Sequence, residues 1–233
     1  MAGFKAHITT SGLLGLGYGG LALAMFDVPP STCVLAGCLC GVSGMLPDLD
    51  SGPGVPLRES LAFAAAVVPM MMIDRARHMG LSFEMIALAG SLLYLLIRFG
   101  LGWALRKYTV HRGMFHSLPA ALIAGEIAFL VCSSGDLTIR YYKAGAVVVG
   151  FMSHLLLDEL YSIEWYRGRL RLKRSFGTAV KVWGDSLWAN FSTYAKLAIL
   201  TLLALRDPIW IDVSPTGKQL HEVATTLLDQ VWR

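Results

Sequence analysis

The chain has 233 residues, 55% hydrophobic and only 15% charged, with a mean hydropathy of +0.56 and a formal charge of +4. A soluble domain carries nearer a quarter charged residues, so this composition excludes an ordinary water-facing surface and points to an integral membrane protein. The basic residues cluster between apolar runs, where cytoplasmic loops meet anionic headgroups, so a nucleic-acid face is not expected.

The first apolar run spans 8–26 and is rich in glycine (Gly12, Gly15, Gly17, Gly19, Gly20), the composition that lets membrane helices approach closely. A turn at Asp27–Pro30 leads to a second small-residue run, 31–46, which ends at Pro47. After a Gly/Pro loop through Ser60 come a short run at 61–73 and another at about 83–98. The loop 99–116 carries Arg106, Lys107 and the densest polar motif of the chain, His111-Arg112-Gly113-Met114-Phe115-His116-Ser117. Runs at 117–133, about 143–158 and 191–205 follow, with a polar, basic and aromatic stretch at 159–190 and a short amphipathic stretch at about 218–232. The reading is an all-α polytopic bundle of five to seven spans. Several runs fall short of the ~20 residues that cross a bilayer, so their ends are expected inside protein. Three regions result: a core over 1–160, an interfacial segment over 161–190, and a last span with its tail over 191–233. Cys33, Cys38, Cys40 and Cys132 form no Cys-x-x-Cys pair, so buried free thiols are expected rather than a zinc ribbon. The N-terminus lacks the form of a cleavable signal.

Alternating crossings put the N-terminus and the loops 47–60, 99–116 and 159–190 on one side. That side holds twelve Lys and Arg residues against seven on the other, which makes it cytoplasmic. The clusters of ionisable residues all fall on this same side: His7, Asp48 and Asp50, His111 and His116, His154 and Asp158. His78 and His221 fall opposite and are left out of the site.

His154 and Asp158 are four apart, stacked on one helix face. Asp48 and Asp50, two apart after Pro47, point the same way if the segment is extended. His116 is expected at the mouth of the next helix, with Ser117 as its N-cap and Pro119 in its first turn, while His111 lies in the loop. Each piece has a bland account: a structural His7, an Asp-x-Asp turn, an Arg112 that snorkels to headgroups. Ionisable groups at span ends are costly and default to function, and their conjunction on one side favours one site. Imidazoles with carboxylates suit zinc, manganese or iron, as one or two ions able to activate water for phosphoester displacement. Arg112 beside them suits a phosphoryl group.

His7, Leu46-Pro47-Asp48-Leu49-Asp50, His111-Arg112-Gly113-x-x-His116-Ser117 and Ser153-His154-x-x-x-Asp158 together resemble the YdjM-type family of predicted membrane-bound metal-dependent hydrolases. The resemblance covers about residues 1–160. It implies a bacterial-type inner-membrane protein with divalent-metal ligands at these positions, and a distant likeness to helical zinc-dependent phospholipase C and nuclease-type phosphodiesterases. Two positions depart from the family pattern. Ser51 stands where a His usually follows Asp-x-Asp, which makes a second metal less certain. Phe115 replaces a Thr that commonly precedes the second His.

The expected function is hydrolysis of a phosphoester, such as a membrane lipid or lipid-linked headgroup, at the cytoplasmic face. His7, Asp48, Asp50, His111, His116, His154 and Asp158 are the expected ligands, zinc or manganese the expected ion. Arg112, His111 and Ser117 are the expected catalytic groups. Glu159 is a weak candidate base. The rivals are a metal-binding scaffold without turnover and a carrier. A carrier needs ionisable groups at mid-span, and here they gather at one end.

Overall fold

The computed structural model describes residues 3–50, 54–108, 114–166, 169–173, 177–207 and 209. Among them the chain forms nine α-helices and one strand pair. Helices α1 (Phe4–Met25), α2 (Pro30–Ser43) and α8 (Leu137–Leu160) form a central layer. Helix α7 (Leu118–Val131) packs on α8, and α9 (Leu187–Leu205) packs on α7. Helix α3 (Val55–Met71) runs into the short α4 (Ile73–His78). Helix α5 (Phe83–Leu95) continues through a π-helical turn (Leu96–Leu101) into α6 (Gly102–Tyr108), and leans on α3.

The glycines of the first run explain how closely α1 and α2 pack. A methyl group at Gly15 would overlap the Gly37 carbonyl oxygen. Gly150 does the same for α8, since a methyl there would overlap the carbonyl oxygen of Cys40 on α2. Small residues replace bulk with backbone contact, which is how helices associate where lipid competes for apolar side chains. Polar pairs lock the same layer. Tyr18 donates to the Tyr142 carbonyl at 2.8 Å, Tyr142 donates back to the Tyr18 carbonyl at 3.3 Å, and the rings stack at 4.9 Å. Ser11 donates to the Gly41 carbonyl at 2.8 Å.

Among the described residues four segments can cross a membrane by length and composition: Phe4–Met25, Val55–His78, Phe83–Leu105 and Leu187–Leu205. The expected short third run is therefore a 24-residue segment. Hydropathy lost its start because Arg58 and Glu59 sit in the first turns of α3, and its end because Asp74, Arg75, Arg77 and His78 lie in α4. Large apolar side chains such as Leu16, Phe83, Leu88, Leu187 and Phe191 are exposed on these helices, a surface suited to lipid and a liability in water. Helices α2 and α7 have 14 residues each, about 21 Å at 1.5 Å per residue. As expected for short runs, both ends of α7 and the C-terminal end of α2 lie inside protein: Ser43, Met45, Ser117, Cys132 and Ser133 are all buried.

The stretch after α8 holds a hairpin that composition alone did not suggest. Strands β1 (Ile163–Tyr166) and β2 (Arg169–Leu172) pair antiparallel, with Ile163 opposite Leu172. Residues 177–184 then fold back on the bundle. Leu118 donates its N–H to the Lys181 carbonyl at 2.9 Å, Val180 packs on the Ala121, Phe151 and Leu155 cluster, and Asn190 clasps Gly184 through two hydrogen bonds of 2.7 and 2.8 Å. All four cysteines are free; Cys33, Cys40 and Cys132 are buried as expected, but Cys38 is exposed on the outer face of α2.

Candidate metal centre

The start of α1, the segment after α2, the segment before α7 and the end of α8 meet at one end of the bundle. Each contributes ligand-type side chains. His7 comes from the second turn of α1, His154 and Asp158 from the last turns of α8. Asp48 lies on a 3-10 turn, Leu46–Asp50, that follows α2. His116 immediately precedes Ser117, the N-cap of α7, whose hydroxyl accepts from the Ala120 N–H at 3.3 Å. Pro119 occupies the first turn, where a missing N–H costs nothing. Sequence reasoning placed His116 at this mouth for this reason, and the cap is there.

His7 Nε2 lies 3.3 Å from Asp158 Oδ1, and His154 Nε2 lies 3.6 Å from Asp158 Oδ2. His154 Nε2 also lies 3.7 Å from Asp48 Oδ1, which is 3.4 Å from His116 Nε2. The His7 and His154 rings stack at 3.6 Å, and His116 stands edge-on to His154 at 5.5 Å. His7, His116, His154 and Asp158 are almost completely buried. Two triads result, His7–His154–Asp158 and Asp48–His116–His154.

The chemistry of His154 decides what these triads can hold. Its Nδ1 is 2.7 Å from the Gly44 carbonyl oxygen. A carbonyl only accepts, so Nδ1 carries the proton, and a metal ion at Nε2 would take the place of a second proton and meet a lone pair there. That lone pair faces two carboxylates and has no hydrogen-bond partner among the described residues. Acceptor against acceptor in a buried place is unfavourable unless a cation lies among them. Four ligands about 2.05 Å from a tetrahedral ion stand about 3.3 Å apart; four nitrogen–oxygen pairs here lie 3.3 to 3.7 Å apart, and the ligand atoms of each triad all lie within 4.8 Å. The residues present therefore fit a divalent ion. One nitrogen has one lone pair, so the triads cannot both use His154 at once. They are halves of one five-residue cluster. The Gly44 carbonyl plays the orienting part usual for a metal-bound imidazole.

Burial opposes the charge on Asp48, but its hydrogen bond to His116 and the field of His154, His116 and His7 outweigh burial. They hold its carboxyl below the usual range. Ser117 lies outside both triads; its hydroxyl donates to the Met114 carbonyl at 2.5 Å while accepting the cap. One carboxylate oxygen of Glu159 accepts from the Gly177 N–H and anchors the folded-back segment. The extended geometry expected to align Asp48 with Asp50 is absent, because Leu46–Asp50 winds into a 3-10 turn. The Asp50 side chain, His111 and Arg112 lie outside the described residues. Gly44 escaped sequence reasoning, since a carbonyl 110 residues from its partner leaves no local signal. The hairpin did leave one, the Arg169-Leu170-Arg171-Leu172 alternation.

A bundle of apolar helices that closes at one end on buried histidines and aspartates defines a polytopic membrane protein with a candidate metal centre. The chain belongs to the YdjM inner membrane protein family, whose model matches residues 5–205. No curated protein and no solved structure matches it.

Proposed function

We propose that this protein is a metal-dependent hydrolase of phosphoesters, acting at the cytoplasmic face of the inner membrane. The observation that carries the reading is the lone pair of His154, buried and aimed at two carboxylates, with His7 and His116 at coordination spacing around it. In this reading His7, Asp48, His116, His154 and Asp158 hold a zinc or manganese ion, and Asp50 and His111 are further ligand candidates. A divalent ion there supplies Lewis acidity and lowers the pKa of water it binds.

The chain's own residues do the rest. Gly44 fixes the His154 ring and its tautomer. The imidazoles hold Asp48 ionised, the state in which it would hold a cation. Arg112 suits the phosphate as a bidentate donor, with His111 as ligand or general acid and Ser117 fixing the start of α7 behind His116. The depth of the cluster also favours a reaction sheltered from bulk water, since α2 and α7 stop short of a full span. The twelve-to-seven excess of Lys and Arg on this side supports a cytoplasmic site.

The test is metal content and turnover measured on the same samples. Purified wild type is expected to retain a divalent ion and to hydrolyse a phosphodiester, losing the activity to chelator and regaining it on metal addition. His116→Ala and Asp158→Ala are expected to lose both. Equal metal in all three proteins removes the site. Metal lost with each substitution, but no turnover on any phosphoester in wild type, leaves a metal-binding scaffold.

A further inference from the structure

A cavity of about 490 Å³ lies between α3 on one side and α7 and α8 on the other, within the range of small-molecule sites. Its walls are hydrocarbon, among them Leu61, Val67, Ile123, Ile127 and Phe151. It reaches from Ser60 to Met71 along α3 and from Ala120 to Val131 along α7, about 16 Å at 1.5 Å per residue. One leaflet of a ~30 Å hydrocarbon core has nearly this depth. The π-helical turn bulges beside it, contributing Ile97 and Leu101.

The two ends of the cavity differ. At the far end Ser133 ties α7 to α3, donating both its N–H (3.2 Å) and its hydroxyl (2.5 Å) to the Met71 carbonyl. At the near end the cavity touches Leu46 and Leu49, either side of Asp48, and Phe115, next to His116. Its near end is therefore walled by the segments that carry Asp48 and His116, although neither side chain lines it. Leu101 and Lys196 line it and are exposed, which gives it an opening to the surface between the π-helical segment and α9.

One polar group on the wall lacks a partner. Ser60 is 3% exposed, and its hydroxyl has no hydrogen bond among the described residues. Helical serines usually satisfy themselves on the preceding turn, as Ser43 and Ser153 do here. Ser60 lies five residues into α3, at the end nearest Asp48. A donor at that level, above a hydrocarbon slot and below a phosphate-type site, matches the ester carbonyl of an acyl chain.

We propose that this cavity is the tail slot for a glycerophospholipid substrate. One acyl chain lies between α3 and α7, its ester carbonyl accepts from Ser60, and its phosphate stands at Asp48 and His116. The proposal rests on the hydrolase reading for what happens to the headgroup, but not for binding.

The test uses full-length protein in vesicles of phosphatidylcholine doped with phosphatidylglycerol carrying a photoactivatable group midway along one acyl chain. Metal is chelated, so no turnover is needed. Crosslinks are expected on wall residues such as Val67 and Ile123. They are expected to fall at least fivefold in Ala64→Trp or Ala124→Trp, whose added rings fill the slot. Replacing the ester by an ether is expected to weaken labelling about fivefold in wild type, the worth of one hydrogen bond, and not at all in Ser60→Ala. Crosslinks confined to outward residues such as Leu122 and Leu88 overturn the proposal, and this arm needs no variant to fold. Stronger cavity labelling by a photoactivatable polyprenyl phosphate, which has no ester, also overturns it. Cavity labelling, with no hydrolysis of the same lipid once metal is restored, supports the slot and removes the hydrolase reading. Turnover of a soluble phosphodiester with no cavity labelling does the reverse.

Discussion

Replacing His154 by alanine is the sharpest test of how the ligands are organised. Its Nε2 is the one atom common to both triads, 3.6 Å from Asp158 and 3.7 Å from Asp48. Four-ligand zinc sites in small peptides bind with about 10–16 kcal/mol, or roughly 2.5–4 per ligand. At 1.4 kcal/mol per decade, loss of one ligand weakens binding about 10²- to 10³-fold. The substitution also frees the Gly44 carbonyl, a burial cost that falls on folding rather than on the metal. The assay is competition for zinc against a chromogenic chelator, on detergent-purified wild type, His154→Ala and His154→Gln. Both substitutions are expected to lose affinity by the stated factor. Circular dichroism establishes whether α8 stays helical. Wild-type affinity in a folded His154→Ala would refute the argument that this lone pair faces a cation. So would a loss confined to one of two bound ions, since overlapping triads predict damage to the whole cluster.

Other expectations follow from the packing. Gly150→Val forces a branched side chain into the Cys40 carbonyl and is expected to cost 3 kcal/mol or about that, at the upper end of overpacking, read as a lower midpoint in thermal unfolding. Ser117→Ala removes the α7 cap and is expected to cost about 1 kcal/mol, with zinc affinity changed far less than in His154→Ala. At the other end of the bundle Asp207 joins Arg75 at 2.8 Å and Arg140 at 2.9 Å. Asp207→Ala strands a buried guanidinium and is expected to cost about 3 kcal/mol, the low end for a broken buried pair because Arg75 reaches solvent. Burial opposes the Asp207 charge, but the Ile209 N–H and the two arginines outweigh it and hold the carboxyl below its usual range. A lowered folded pKa means this stability is complete above the unfolded value of about 3.9 and is lost as pH falls through the folded one. Acid should therefore destabilise wild type more steeply than Asp207→Asn, and parallel acid curves would count against the network.

Composition and motif spacing were enough for the membrane class, the helical architecture and the gathering of His7, Asp48, His116, His154 and Asp158 at one end of the bundle. The reasons are local: hydropathy follows each run, i to i+4 spacing stacks His154 on Asp158, and a Ser-x-Pro start caps α7 beside His116. These signals need no knowledge of the partner helix. Other features depended on how distant segments meet. The start of α3 was hidden by Arg58 and Glu59, which break hydropathy without breaking the helix. The turn carrying Asp48 took a 3-10 path where sequence allowed an extended one.

The sequence by itself determined which residue types were available and at which end of the bundle they gather, because burial and helical periodicity are written along the chain. Only the tertiary structure decided that His154 stands between Asp48 and Asp158, that Gly44 holds its Nδ1, and that Ser60 faces a hydrocarbon slot. Those relations join groups far apart in the chain, and the spacing between helices, not the order of residues, sets their distances.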